Sequence, residues 1–149
     1  MRKHLLFILA VISLLGLQSC ENYVPFGNIS PDKLPSASIA FIEQHFPGET
    51  ILLAEKELNA GVTEYDVKLS DGTEITFDKD GEWKGVNCGT RQVPDAIVPS
   101  NILEYVTQNF PEAFITEIEF KTLVKRYQVE LNVDVELHFD KDGNLVNID

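Results

Sequence analysis

The chain has 149 residues, of which 24 are acidic and 12 are basic, so that its formal net charge at pH 7 is −12. This charge disfavours nucleic-acid binding, which depends on Lys and Arg side chains that neutralise phosphate. The length suits one domain with an ordinary core, and two cysteines are too few for a disulfide framework.

The N-terminal residues predict an exported protein. Met1–His4 carries two basic residues and is followed by Leu5–Leu17, which is almost entirely apolar. Positive charge followed by a short apolar run is typical of a signal peptide. The run is shorter than the roughly 20 apolar residues that a transmembrane helix needs. We therefore expect residues 1–19 to be a signal peptide.

A lipid anchor is predicted directly after this segment. The residues Leu17-Gln18-Ser19-Cys20 resemble a lipobox, with an apolar residue three positions before the cysteine and a small one just before it. We expect a lipid on Cys20, a tether over residues 20–33, and a location in the cell envelope that faces the periplasm or the cell surface. Several acyl chains make such anchoring stable. Loss of residues 1–19 would remove two basic and no acidic residues and leave a net charge of −14.

A short helix is predicted at the start of each half of the remaining chain. Ile39, Ile42 and Phe46 are spaced as one apolar face of a helix. Prolines bracket both helices, with Pro35 and Pro99 in the first turns and Pro47 and Pro111 after the ends. Each helix should therefore have about three turns.

Four strands are predicted after the first helix, near residues 50–58, 63–70, 73–78 and 82–88. Apolar and polar residues alternate in Tyr65–Leu69, which gives the strand one dry and one wet face and indicates an antiparallel sheet. Residues directly opposite each other point to the same face. We therefore expect Leu69 opposite Ile75 and Val67 opposite Phe77, with Asp71-Gly72-Thr73 as the loop.

The segment Asp78-Lys79-Asp80-Gly81 is predicted to be a hairpin turn with glycine in the left-handed position. It does not match a calcium-binding loop, which places glycine sixth. Trp83 after the turn has two possible sides. A three-residue turn places it beside Phe77 in the core, which we favour, whereas Val86 competes for the core under strict alternation. An exposed Trp83 would be a candidate binding hot spot.

Cys88 lies at the predicted end of the fourth strand. We expect it to be a small, partly buried apolar residue. The alternative is an intermolecular disulfide, since the expected compartment permits one.

The second half of the chain repeats the first. Residues 98–149 align with residues 34–88 at an offset of 64 residues in the helix and 62 residues in the last strands. The alignment includes five consecutive identities, Phe77–Gly81 with Phe139–Gly143. Strands are therefore predicted near residues 114–121, 125–132, 135–140 and 144–148, with Leu131 opposite Leu137 and Val129 opposite Phe139.

These elements predict the α+β class. Two tandem α-β-β-β-β repeats should form a single domain over residues 34–149, because a repeat of this length is too long for a solenoid. We expect one antiparallel, roughly eight-stranded sheet with the two helices on one face.

The chain resembles the PepSY-like lipoproteins of Bacteroidetes over residues 34–149. The residues that carry the resemblance are Leu34-Pro35, Phe46-Pro47, Tyr65–Leu69, Asp71-Gly72-Thr73, Phe77–Trp83, their partners in the second repeat and Val93–Pro99. The resemblance implies a fold similar to β-lactamase inhibitory protein, with an open sheet face. It implies no catalytic residues, and binding or protease inhibition as the activity. The second repeat departs from the pattern at Asn132-Val133-Asp134, where the Asp-Gly turn is lost.

The wet face of the sheet is the predicted binding face. Its candidate residues are Asp66, Lys68, Glu74, Thr76, Gln128, Glu130, Glu136 and His138, together with Trp83 if it is exposed. No catalytic motif, cofactor motif or zinc-chelating spacing is recognised, and we expect no catalytic residue, metal or cofactor.

The sequence therefore predicts an extracytoplasmic, lipid-anchored binding module and not an enzyme. Its partner should be a protein or peptide bound on the open face, for example as a peptidase inhibitor would bind, and not a nucleic acid. The alternative is a small-ligand or envelope-stress module with a pocket between the helices and the sheet.

Overall fold

The computed structural model describes residues 26–149, which fold into two helices and nine strands. The helices are α1 (Ser36–His45) and α2 (Ser100–Asn109). The strands are β1 (Gly27–Asn28), β2 (Ile51–Asn59), β3 (Val62–Leu69), β4 (Glu74–Asp78), β5 (Trp83–Asn87), β6 (Ile115–Lys121), β7 (Arg126–Leu131), β8 (Val135–Asp140) and β9 (Leu145–Ile148). Short 3₁₀ turns occupy residues 31–33 and 95–97.

All nine strands form one sheet in chain order, and every neighbouring pair is antiparallel. The predicted α+β class and antiparallel sheet are confirmed, with one strand more than expected. The added strand β1 pairs with β2 and comes from the segment that was predicted to be a tether. The predicted signal peptide and Cys20 lie outside the described residues. Within residues 26–149, no helix has the length and apolar character needed to cross a bilayer.

The two helices begin and end as their prolines predict. Pro35 and Pro99 are the N-cap residues, and the backbone N–H groups of Phe46 and Phe110 close the last turns. Each helix places an aromatic ring edge-on against a buried phenylalanine of the sheet. The ring centroids are 5.6 Å apart for Phe41 and Phe77 and 5.5 Å apart for Tyr105 and Phe139.

The core is built on a continuous row of apolar side chains across five strands. Each member of the row lies directly opposite the next, from Ile75 through Val86, Ile118 and Val129 to Leu137. All five are 1% exposed or less. Because opposite residues share a face, this row fixes the same dry face from β4 to β8.

The predicted register of the first hairpin is wrong by two residues. Val67 lies opposite Ile75 and Tyr65 opposite Phe77, and the Leu69 N–H bonds to the Thr73 carbonyl. The loop is therefore Ser70-Asp71-Gly72, and Thr73 belongs to the strand pair. Thr73 is fully buried and continues the dry face as an apolar residue would. A shift of two residues leaves every side chain on its predicted face.

The second repeat shows the same correction. Val129 lies opposite Leu137, and Leu131 lies opposite Val135. The loop is Asn132-Val133-Asp134, and Asp134 takes the left-handed φ of 57° that a glycine would usually supply. The departure from the Asp-Gly pattern therefore changes the residue types of this loop and keeps its length.

Trp83 lies on the core side, which is the side that we favoured. It is opposite Phe77 and packs, half-buried, against the core. A bulge between the Thr76 and Phe77 pairs allows Val86 to face the core as well. Trp83 therefore leaves the set of candidate binding-face residues.

Candidate functional site

Polar residues form a continuous row on the face opposite the core. We call this the carboxylate row; its members lie directly opposite one another from β3 to β8 and are Lys68, Glu74, Asn87, Glu117, Glu130 and Glu136. Asp149 extends it, because its backbone N–H and carbonyl bond to the backbone of Glu136. Four of the six row members are glutamates.

A second polar row runs beside the first, one step along the strands. Its members are Asp66, Thr76, Gly85, Glu119, Gln128, His138 and Asn147. The eight wet-face residues predicted from the sequence therefore lie in these two rows, four on β3 and β4 and four on β7 and β8.

Sequence reasoning missed the four residues that join these two groups. They are Gly85 and Asn87 on β5 and Glu117 and Glu119 on β6. The signal was present, since both glutamates flank the apolar Ile118 in an alternating pattern. With these residues included, the carboxylate row is unbroken from β3 to β8, and the second row is interrupted only at Gly85, which has no side chain.

Several side chains of the rows are already paired. The Lys68 ammonium lies 2.9 Å from the Glu74 carboxylate, and the Thr76 hydroxyl donates to Asp66 at 2.5 Å. Lys121 pairs with Glu119 on the same strand. Exposed pairs of this kind contribute little to stability. They do fix the positions of the carboxylates that a partner would meet.

Glu117, on β6, is a carboxyl of this face whose pKa is raised. Burial raises its pKa above the ordinary value, and the negative charges of Glu130 and Glu119 raise it further. Lys121 acts in the opposite direction, and the net pKa shift is upward. The Glu117 carboxylate also accepts a hydrogen bond from Asn87 at 2.5 Å. Ionisation of Glu117, at the centre of the carboxylate row, is therefore less favourable than ionisation of an isolated glutamate.

A groove of about 510 Å³ opens on this face at one end of the sheet. One side is the β2–β3 hairpin, the other is the start of the β6–β7 hairpin, and the β4–β5 turn closes the end. Val62 and Leu123 line the groove and are 46% and 87% exposed. Asp66, Thr76 and Glu119 belong to both the groove and the second polar row. The groove therefore combines apolar walls with charged groups.

Lysines are concentrated around this groove although the protein is acidic. Lys79, Lys84 and Lys121 all line it. The Lys84 ammonium lies 5.3 Å from the centre of the Phe120 ring, which is a cation–π contact. The groove can thus present both signs of charge to a bound segment.

A second crevice, of about 310 Å³, lies between α2 and the start of β6. Leu103 and Val106 of α2 and Ile115 of β6 line it, together with polar residues such as Gln92 and Asp95. This crevice is the feature that corresponds best to the alternative prediction, a pocket between the helices and the sheet. Its size is at the low end of small-molecule sites.

Cys88 is 3% exposed, which is more complete burial than the partial burial predicted from the sequence, and its thiol is free. Burial raises the pKa of the thiol above its ordinary value. The Thr73 hydroxyl donates a long hydrogen bond to the sulfur, at 3.9 Å. A buried thiol with a raised pKa is a poor nucleophile.

The sheet edge at β8 and β9 brings together three potential metal ligands. His138 Nε2 lies 2.8 Å from Glu136 Oε1 and 3.0 Å from Asp149 Oδ2. The sequence shows no zinc-chelating spacing, because two of these residues share one strand face and the third follows the neighbouring strand. Glu136 and His138 are two positions apart, which is the spacing of one strand face.

The fold is an α+β domain with one antiparallel sheet, whose polar face lies opposite the core. Residues 63–147 match the family described as "Putative beta-lactamase-inhibitor-like, PepSY-like", and the chain belongs to this family.

Solved structures of Bacteroides proteins have the same fold. A putative periplasmic protein of the DUF2874 family from Bacteroides vulgatus is 36% identical, with a TM-score of 0.77, over 82% of this chain and 94% of its own. A putative calcium-regulated periplasmic protein from Bacteroides thetaiotaomicron is 37% identical, with a TM-score of 0.77, over 83% of this chain and 95% of its own. A search of curated proteins gave no match. The description of both neighbours as periplasmic supports an envelope location.

Proposed function

We propose that this protein is an envelope lipoprotein, anchored through Cys20, that binds a protein partner on the open face of its sheet. In this proposal the α-β-β-β-β unit is duplicated and both helices cover the dry face. The face that carries the polar rows is then not covered by the helices. The observation that carries the proposal is the pair of polar rows across the open face, the second of which leads into a groove with exposed apolar walls. Apolar anchors within a charged surround are typical of protein-binding sites.

The family description names a likeness to a β-lactamase inhibitor, which supports an extracytoplasmic enzyme as the partner class. The groove is open at the sheet surface and can accept a loop or an extended segment of such an enzyme. Leu123 and Val62 would contact an apolar side chain of that segment. The glutamates of the carboxylate row would contact basic groups beside it, and would speed association at low salt.

Charge reversal on the carboxylate row tests the proposal. Glu74 and Glu130 are both exposed, so Glu74→Lys with Glu130→Lys should leave the melting temperature nearly unchanged. The double variant should lose most of the partner that the unaltered protein retains from a native envelope extract. A matched control is Glu43→Lys with Glu104→Lys, which reverses two exposed charges on α1 and α2.

The comparison of the two double variants decides the outcome. Partner retained by the helix variant and lost by the row variant supports the open face. Equal retention by both variants would exclude the carboxylate row, and loss in the helix variant alone would assign binding to the helix side.

A further inference from the structure

We propose that Glu136, His138 and Asp149 form a binding site for a divalent transition-metal ion, with zinc as the ion of best chemical fit. The three side chains lie at the β8–β9 edge of the polar face, at the far end of the carboxylate row from Lys68. Glu136 also belongs to the carboxylate row, but zinc binding by the cluster does not depend on the partner-binding role proposed above.

The backbone holds all three ligands in position. Glu136 and His138 project from the same face of β8, two residues apart. Asp149 follows β9, and its backbone forms both a donated and an accepted hydrogen bond with Glu136. One potential ligand atom from each side chain lies within 4.8 Å of the others. The cluster therefore depends on sheet pairing and not on a flexible loop.

The ligand types and spacings suit a tetrahedral ion. Zinc binds imidazole nitrogen and carboxylate oxygen at about 2.0–2.2 Å, which places neighbouring ligand atoms roughly 3.3 Å apart. His138 Nε2 is 2.8 Å and 3.0 Å from its two carboxylate oxygens, so each of these two pairs needs to separate by only a few tenths of an ångström. The two carboxylate oxygens lie within 4.8 Å of each other. Three protein ligands would leave a fourth position for water or for an atom of a partner.

The surroundings of the cluster also favour a cation. Asn147 donates a hydrogen bond to Asp149 Oδ1 at 2.6 Å, which leaves Oδ2 as the oxygen that faces His138. Outer hydrogen bonds of this kind orient metal ligands. Glu130 lies directly opposite Glu136, so a bound ion would also relieve repulsion along the carboxylate row.

The first half of the chain offers a natural comparison. The residues aligned with Glu136, His138 and Asp149 are Glu74, Thr76 and Asn87. Glu74 and Asn87 are directly opposite on β4 and β5, but this position has one carboxylate and no imidazole. The sheet geometry is thus shared, and only the second half carries a ligand set. Calcium fits this set poorly, since it prefers six to eight oxygen ligands.

Zinc titration of the full chain, purified in detergent and freed of metal with a chelator, tests the site. Calorimetry should detect one zinc ion per chain, and His138→Gln should weaken its binding at least about tenfold, since even an outer-sphere partner is worth about that much. His45→Gln, which removes the imidazole of α1, is the matched change and should leave zinc affinity unchanged. A tenfold excess of calcium should not displace the zinc.

The readout is independent of the proposed partner, so either proposal can fail alone. Absence of stoichiometric zinc binding by the unaltered chain overturns the site. Equal zinc affinity in the unaltered chain and His138→Gln overturns it as well, provided that circular dichroism shows both to be folded.

Discussion

Asn87 on β5 donates a hydrogen bond to Glu117 on β6 at 2.5 Å, across the strand pair that joins the two halves of the sheet. Val86 and Ile118 form the dry side of the same junction and are both fully buried. The junction thus combines an apolar contact on one face with a carboxylate on the other. Glu117 faces Glu130 on its other side, which makes its negative charge unfavourable.

Replacement of Glu117 by glutamine should stabilise the protein at neutral pH. The pKa of Glu117 is raised in the folded state above its ordinary value of 4.5, chiefly by burial. As the pH rises from this value, the unfolded chain releases the proton first, so stability falls until the folded pKa is passed. The neutral amide of the variant does not titrate, so the stability of the variant does not fall through this group as the pH rises. The gain should be less than about 1 kcal/mol, because the carboxyl is partly exposed to solvent.

Thermal melts at pH 7 and at pH 3.5 measure this effect. The variant should melt higher than the unaltered protein at pH 7, and the difference should shrink at pH 3.5, where both states bind the proton. Glu43→Gln on the exposed face of α1 is the control and should change little at either pH. A variant that melts lower at pH 7 would mean that the bond from Asn87 outweighs the repulsion.

Helix and strand positions could be predicted from the sequence because prolines and alternation mark them directly. The register could not, because Thr73 is a polar residue that continues the dry face. Its hydroxyl bonds to the Asp71 carboxylate and lies beside the sulfur of Cys88, so burial leaves it satisfied. The apolar residues of the second strand begin only at Ile75, so alternation alone predicts a loop over residues 71–73 instead of residues 70–72.

The residues of the candidate site could be predicted only in part from the sequence, for a related reason. Residues of β3, β4, β7 and β8 were found because their strands have clear alternation and repeated identities. β5 contains Gly85 and a bulge, which interrupt the period of two. The contribution of Asp149 depends on the pairing of β9 with β8, which follows a second bulge near Phe139. Bulges change which residues lie opposite each other on neighbouring strands, and they are difficult to predict from the sequence.

Gly81→Ala should destabilise the protein more than Gly72→Ala. Both glycines have a left-handed φ, +87° and +88°, so an alanine costs about 1–2 kcal/mol in backbone strain at either position. A Cβ at Gly81 would also lie 2.8 Å from Pro35 Cβ and 3.0 Å from the Ser38 nitrogen, whereas one at Gly72 meets nothing within 4 Å. The close contact should add at least about 1 kcal/mol.

Urea unfolding of the two variants compares these costs. Gly85→Ala is a third variant in which the added Cβ meets Glu119 Cγ at 3.5 Å, an ordinary contact, and it should be tolerated. Equal losses in Gly81→Ala and Gly72→Ala would contradict the close packing of the β4–β5 turn against the start of α1.

Calcium binding at the two Asp-Lys-Asp-Gly turns should be no tighter than about millimolar, because the turns offer few free oxygen ligands. Asp78 Oδ1 accepts the N–H groups of Asp80 and Glu82 at 2.9 and 3.0 Å. Asp140 Oδ1 accepts those of Asp142 and Asn144 in the same way, both at 2.9 Å. The carboxylates thus hold the turns together.

Calorimetry with calcium checks this expectation. Any weak heat should disappear in roughly 0.5 M salt, because it would arise from the net charge rather than from a site. Asp78→Asn with Asp140→Asn serves as the matched variant. A micromolar site that this variant abolishes would show that the turns do bind calcium.

Cys20→Ala should abolish both lipid labelling and membrane association. Cys20 ends the lipobox-like residues, and its thiol is the group that would carry the diacylglycerol. Cys88→Ala is the matched control, because Cys88 is only 3% exposed and should accept no lipid in the folded protein. Cells grown with labelled palmitate should therefore label the unaltered protein and Cys88→Ala equally, with both in the membrane fraction. Label retained by Cys20→Ala would refute the lipid anchor at Cys20. Label lost from Cys88→Ala alone would show that the lipid is attached to Cys88 instead.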